Sequence, residues 1–202
     1  MNANSALKAG KEGFVFTIFS IILTFVLGYF VSKLLKIEKK TSFLISGGTA
    51  ICGGSAIAAI APAIKAEEKQ ISVALGTIFI LNSIALFVFP FVGHLVNLDA
   101  SQFGLWCAIA IHDTSSVVGA AAKFGPEALE VATTVKLARA LWIIPISLLS
   151  IVLFKSKESK VKIPYFIGLF VLAMLANSYI PMVNQFSSYI TTIAKIGLTI
   201  TL

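Results

Sequence analysis

Residues 14–32 read FVFTIFSIILTFVLGYFVS, and no charge interrupts them. A helix of about 20 mostly apolar residues crosses the hydrocarbon core of a bilayer, because its backbone N–H and C=O groups are all bonded internally. Similar runs occupy 71–92, 128–154 and 164–180. Pro164 opens the last of these, at a position where a missing N–H costs nothing. A further run begins at 190 and continues to Leu202. The stretches 43–64 and 103–122 are also long enough, but they are crowded with Gly, Ser, Thr and Ala. Composition leaves room for little else. Of 202 residues, 57% are hydrophobic and 12% are charged, against about 25% charged in soluble domains. A mean hydropathy of +0.94 excludes a soluble domain and a disordered chain. Two cysteines cannot form a disulfide scaffold. The net charge of +7 comes from 16 Lys+Arg against 9 Asp+Glu. These lysines punctuate apolar runs and form no basic face, so a nucleic-acid binder is excluded as well.

The expected fold is therefore all-α, a polytopic transmembrane helical bundle forming one domain over 1–202. Its expected spans are about 14–32, 43–64, 71–92, 103–122, 128–154, 164–180 and 190–202. Basic loops stay in the cytoplasm. Loop 33–42 holds Lys33, Lys36, Lys39 and Lys40, loop 155–163 holds Lys155, Lys157, Lys160 and Lys162, and loop 181–189 holds none. Seven crossings put the two lysine-rich loops on one side and 181–189 on the other. They also put 93–102 inside, and the N-terminus, 65–70 and 123–127 outside. KAEEKQ at 65–70 fits least well, because its two lysines are offset only by neighbouring glutamates. The first run is too long for a signal-peptide core and no A-x-A site follows it, so it reads as a retained span. An odd start and a last span that stops short suit a piece of a longer protein. No internal repeat, soluble domain or long linker is visible in the residues.

Three stretches could carry chemistry. The first is SGGTAICGGSAIAAIAP at 46–62. Each Gly costs a helix about 1 kcal/mol relative to Ala, so two Gly-Gly pairs predict a break near Cys52, Gly53, Gly54 and Ser55. A break inside a membrane frees backbone groups that protein, water or a ligand must satisfy, and half-helix N-termini of this kind face anions in transporters. Against this, Gly48/Cys52 and Gly54/Ala58 are small-xxx-small pairs that would suit close helix packing. The second is AIHDTSSVVGAAA at 110–122, where His112, Asp113, Thr114, Ser115 and Ser116 are consecutive polar residues in an apolar segment. An acid there is costly unless paired or hydrated. It would mark either a functional group or a cap at the start of a half-helix. The third is Lys136 with Arg139, three residues apart and so on one helix face. Arg139, the one arginine in the chain, would lie about 16 Å into its span and needs a partner such as Asp113 or an anion. Lys136 could snorkel to the outer surface. The pair could equally serve a purely structural ion pair.

Ser115 or Ser116 with His112 and Asp113 gives hydrolase residue types, but adjacency does not make a relay and no G-x-S-x-G elbow is present. Cys52, Cys107, His94 and His112 lack metal-site spacing. Trp106 and Trp142 suit interfacial belts or packing.

GGTAICGGSAIAAIAPAIKAEE, AIHDTSSVVGAAAKFG and ATTVKLARALWIIP, in that order, resemble the motifs of the YeiH-type family of bacterial membrane proteins, which carries the label sulfate exporter. The resemblance runs from about Gly13 to the end of the chain. It implies a multi-span protein of the bacterial cytoplasmic membrane, with broken helices as in the cation–proton antiporter and bile-acid symporter group. The matching positions are Cys52 to Ser55, His112 to Thr114, and Lys136 with Arg139. The expectation is a non-enzymatic secondary transporter of a small anion such as sulfate or an organic sulfonate. Backbone N–H groups at Gly53–Ser55 and Thr114–Ser116 would face the anion, Lys136 and Arg139 would neutralise it, and Asp113, assisted by His112, would carry a proton. A cation–proton antiporter using Asp113 and a non-transporting membrane scaffold are the rivals. Expected partners are the lipid bilayer, the anion and protons, with no cofactor, metal or nucleic acid.

Overall fold

The computed structural model describes residues 3–154 together with 172, 176 and 179. The expected spans 164–180 and 190–202 and the loops 155–163 and 181–189 fall outside these residues, save for the last three. The described chain folds as α1 (Ala3–Leu34), α2 (Lys39–Ala50), α3 (Gly54–Ala63), α4 (Glu68–Leu95), α5 (Ala100–Ala110), α6 (Thr114–Phe124), α7 (Pro126–Ala140) and α8 (Ile143–Leu153). Among the described residues, three helical runs are long and apolar enough to cross a membrane: Thr17–Leu34, Glu68–Leu95 and Pro126–Leu153. The last joins α7 to α8 through a turn at 141–142. Pro145 explains the turn, since its ring clashes with the carbonyl four residues back, that of Leu141, and it has no N–H to bond there.

Local sequence sets the helix ends. Glu67 with Gln70 and Asp99 with Gln102 form capping boxes at the starts of α4 and α5, satisfying otherwise orphaned N–H groups. Helices α1, α3 and α4 each stop at a residue with positive φ: Lys36, Lys65 and Asn97. The next N–H then reaches back five residues, as Ile37 does to Ser32, Ala66 to Ala61 and Leu98 to Gly93, at 2.8–3.0 Å. This left-handed ending satisfies the last carbonyls before the chain reverses.

Side-chain contacts fix how the short helices run. Gln70, in the first turn of α4, donates to the Glu38 carboxylate just before α2. Lys40, in the first turn of α2, donates to the Lys65 carbonyl just after α3 at 2.7 Å. Both ends of α2–α3 therefore lie at the start of α4, and the pair is a hairpin. The second pair opens at the other end of α4. Phe124, the last residue of α6, stacks on Phe103 near the start of α5, with ring centroids 3.9 Å apart, and on His94 in the last turn of α4, at 4.3 Å.

The stretches 43–64 and 103–122, expected to cross as broken helices, are broken but form hairpins instead. Each stretch turns back on itself, because Ile51–Gly53 and 111–113 are not helical and each half-helix, at 10–12 residues, is about 15–18 Å long. That is too short for a hydrocarbon core of about 30 Å. A hairpin followed by a long helix occurs twice, as α2–α3–α4 and α5–α6–α7–α8, with the hairpins opening at opposite ends. Each hairpin has its own core. Ile51, Ile57, Ile60 and Ile64 pack with Ile78 and Ile143, and Phe103, Cys107, Ile111 and Val117 pack with Ala128 and Ala132. The long helices instead expose large apolar side chains, among them Phe87, Phe91 and Ile80 on α4 and Val152 on α8, as lipid-facing surface does.

Candidate functional site

The two hairpin tips meet. Gly53, between α2 and α3, has φ 64° and ψ −125°, a conformation that glycine alone adopts without strain. A Cβ there would lie 3.4 Å from both Cβ and the backbone N of Asp113, and 3.3 Å from Ile78 of α4. Asn82 lies nearby. It stands about 20 Å from either end of α4, so the meeting point is at mid-depth. Its Oδ1 accepts the His112 N–H at 3.0 Å, one of the backbone donors that the second break releases. Asn82 is absent from the sequence-based candidates, although a lone buried amide in an apolar run was the available signal.

The break near Cys52–Ser55 lies at Ile51–Gly53, and α3 begins at Gly54. Cys52 is buried. The first two N–H groups of α3, those of Gly54 and Ser55, have no carbonyl four residues back to bond, and Gly53 supplies no side-chain cap. Ser55 is exposed. At the second break Asp113 is the cap of α6. One carboxylate oxygen accepts the Ser116 N–H at 2.9 Å and the other accepts the Ser116 hydroxyl at 2.6 Å. Asp113, Thr114 and Ser115 are half-buried, and His112 is buried with Nδ1 unpartnered. Asp113 thus bonds Ser116 within its own helix turn, and these residues form no His–Asp–Ser relay.

Lys136 and Arg139 are 1% and 3% exposed, so Lys136 does not snorkel outward. Its ammonium donates to the carbonyls of Ile111 at 2.7 Å and Ala108 at 3.4 Å, at the C-terminal end of α5. Arg139 Nη2 donates to the carbonyl of Ala50, the last residue of α2. Each cation of α7 therefore sits on the negative end of one half-helix dipole. Among the described residues Arg139 forms no ion pair with Asp113. Arg139 keeps Nε and Nη1 buried and without a hydrogen-bond partner, as do Asn82 Nδ2 and the Ser147 hydroxyl on α8. The arrangement joins a bare half-helix N-terminus, two cations at mid-depth and one carboxylate beside them.

Asn82→Leu tests the support of the second break. It strands the buried His112 N–H, a loss of about 1–3 kcal/mol. The thermal midpoint of the purified protein should fall by several degrees, and an unchanged midpoint would remove Asn82 from the site.

A family model described as conserved hypothetical protein 698 matches residues 1–202. Similar relatives include a UPF0324 membrane protein of Bacteroides thetaiotaomicron, 57% identical over 100% of this chain and 62% of the relative. Another, from Photobacterium profundum, is 52% identical over 96% of this chain and 60% of the relative. A third, from Geobacter sulfurreducens, is 45% identical over 100% of this chain and 65% of the relative. The chain spans about three fifths of the length of these relatives. No solved structure matches it.

Proposed function

Because the chain belongs to the conserved hypothetical protein 698 family, the YeiH-type UPF0324 membrane proteins, we propose that it forms the core of a secondary transporter for a small oxyanion in the bacterial cytoplasmic membrane. The observation that carries this reading is the uncapped N-terminus of α3 at mid-depth, close to an arginine with two buried, unpartnered N–H-bearing nitrogens. Helix N-termini favour anions through their free N–H groups and dipole, and guanidinium suits oxyanions in particular. Two buried cations argue against a cation as cargo. Charge count narrows the class. With Asp113 ionised, the site balances a monoanion such as an organic sulfonate, and with Asp113 protonated it balances a dianion such as sulfate.

Asp113 supplies the coupling. Its carboxylate occupies the N-terminus of α6, and its backbone N and Cβ lie against Gly53 at the start of α3. An anion at α3 would be repelled by that charge, so protonation of Asp113 would favour anion binding and link the two fluxes. His112 and Asn82 hold the backbone beside it.

The test is flux in proteoliposomes of the full-length protein with labelled sulfate, taurine and Na⁺. Sulfate or taurine should move, and Arg139→Gln should reduce that flux at least about a hundredfold, since breaking a buried charge site costs about 3–5 kcal/mol. Na⁺ transport insensitive to Arg139 would establish the antiporter instead. A folded protein that moves none of the three would leave the scaffold reading.

The hairpins also revise the sidedness. If α1, α4 and α7–α8 cross while α2–α3 and α5–α6 turn back, then 33–42, 65–70 and 155–163 all face one side, which gathers the lysine-rich loops in the cytoplasm. Cysteines introduced at Lys36 and Glu67 should react from the cytoplasm and one at Asn97 from outside. Seven crossings demand the opposite at both Glu67 and Asn97.

A further inference from the structure

A cavity lies away from the hairpin tips, at the lysine-rich end of the molecule. It is a groove of about 320 Å³ between α1 and α2. The exposed Lys33 and Lys39 line its lysine-rich end, and the half-buried Phe25 and Phe43 line it further along the two helices. Lys33 and Phe25 are eight residues apart on α1, so the groove runs about 12 Å along the helix axis. Lys39 is held near that end, its ammonium 5.3 Å from the centre of the Phe154 ring. Phe25 and Phe43 pack together with ring centroids 5.1 Å apart, forming an apolar floor.

A cationic rim beside an aromatic floor matches a molecule with an anionic head and a hydrocarbon tail. Free phosphate or sulfate would satisfy the rim and leave the floor unused. Basic clefts between helices at the cytoplasmic face are where anionic headgroups bind. We propose that this groove binds one anionic phospholipid, with its phosphate between Lys33 and Lys39 and an acyl chain along Phe25 and Phe43. The site rests on the chain's place in a bilayer and is independent of any transport activity.

The experiment is native mass spectrometry of the full-length protein, titrated in detergent with phosphatidylglycerol or phosphatidylcholine. One phosphatidylglycerol should bind with roughly thirtyfold preference, following from two juxtamembrane lysines. The Lys33→Gln/Lys39→Gln variant should lose that preference, and Lys33→Arg/Lys39→Arg should retain it. Should the double glutamine variant fail to fold, each single glutamine variant should lose about fivefold. Millimolar inorganic phosphate should leave the bound lipid in place. Equal binding of the two lipids, a preference that survives in the glutamine variants, or displacement by inorganic phosphate would each overturn the assignment. The first of these is also the outcome if a helix of the longer relatives fills the groove.

Discussion

Gly53→Ala should abolish transport and lower stability, while Gly54→Ala next to it should do neither. The two positions look alike in sequence, yet their backbones differ. Gly53 has φ 64° and ψ −125°, and an L side chain there costs about 1–3 kcal/mol in backbone strain. Its Cβ would also press on the fully buried Ile78 of α4 at 3.3 Å and touch Asp113 at 3.4 Å. The strain would be relieved by moving the start of α3 away from Asp113, which dismantles the proposed anion site. Gly54 is already helical, and a Cβ there would meet Leu75 and Phe79 at an ordinary 3.4–3.6 Å. Alanine in that helix is favoured over glycine by about 1 kcal/mol. Thermal midpoints and sulfate or taurine flux of the two single variants decide the matter. Equal behaviour would show that the glycine pair serves only as small-residue packing.

That asymmetry also marks how far the residues alone lead. The glycine pairs predict a break near Cys52–Ser55, which the structure places at Ile51–Gly53, and of the two readings of the HDTSS run the structure holds Asp113 as the cap of a half-helix. What local residues cannot carry is the direction in which the chain leaves a break. A broken crossing and a hairpin use the same glycines. Contacts between residues distant in sequence, Glu38 with Gln70 and Lys40 with Lys65, make the choice. The lysines of KAEEKQ were the visible sign, since only the hairpin sets them beside those of 33–42. The repeat escapes sequence comparison because it is one of architecture, hairpin then long helix, with different residues at each tip. Lys136 and Arg139 show the same boundary. Their depth follows from helix rise, but their partners are main-chain carbonyls of Ile111 and Ala50, which no side-chain pattern announces.

Asp113→Asn should leave the protein folded while removing the proton dependence of anion binding. Asparagine caps helices about as well as aspartate. Its Oδ1 can still accept the Ser116 N–H and its amide can donate to the Ser116 hydroxyl, so α6 keeps its start. What disappears is the negative charge at the N-terminus of α6. The variant mimics the protonated state permanently, so sulfate affinity at alkaline pH should rise to the value the native protein shows at acid pH. Flux driven by a pH gradient should collapse. Radiolabelled sulfate binding across pH, paired with gradient-driven flux in proteoliposomes, reads both effects. If Asp113 serves only as a cap, binding and flux keep their native pH dependence and the proton-carrier role is abandoned. A third reading, in which Asp113 exists to neutralise Arg139, predicts misfolding repaired by Arg139→Gln. The Arg139 guanidinium donates to the Ala50 carbonyl rather than to Asp113, so removing the carboxylate breaks no ion pair, and the single variant should express as the native protein does.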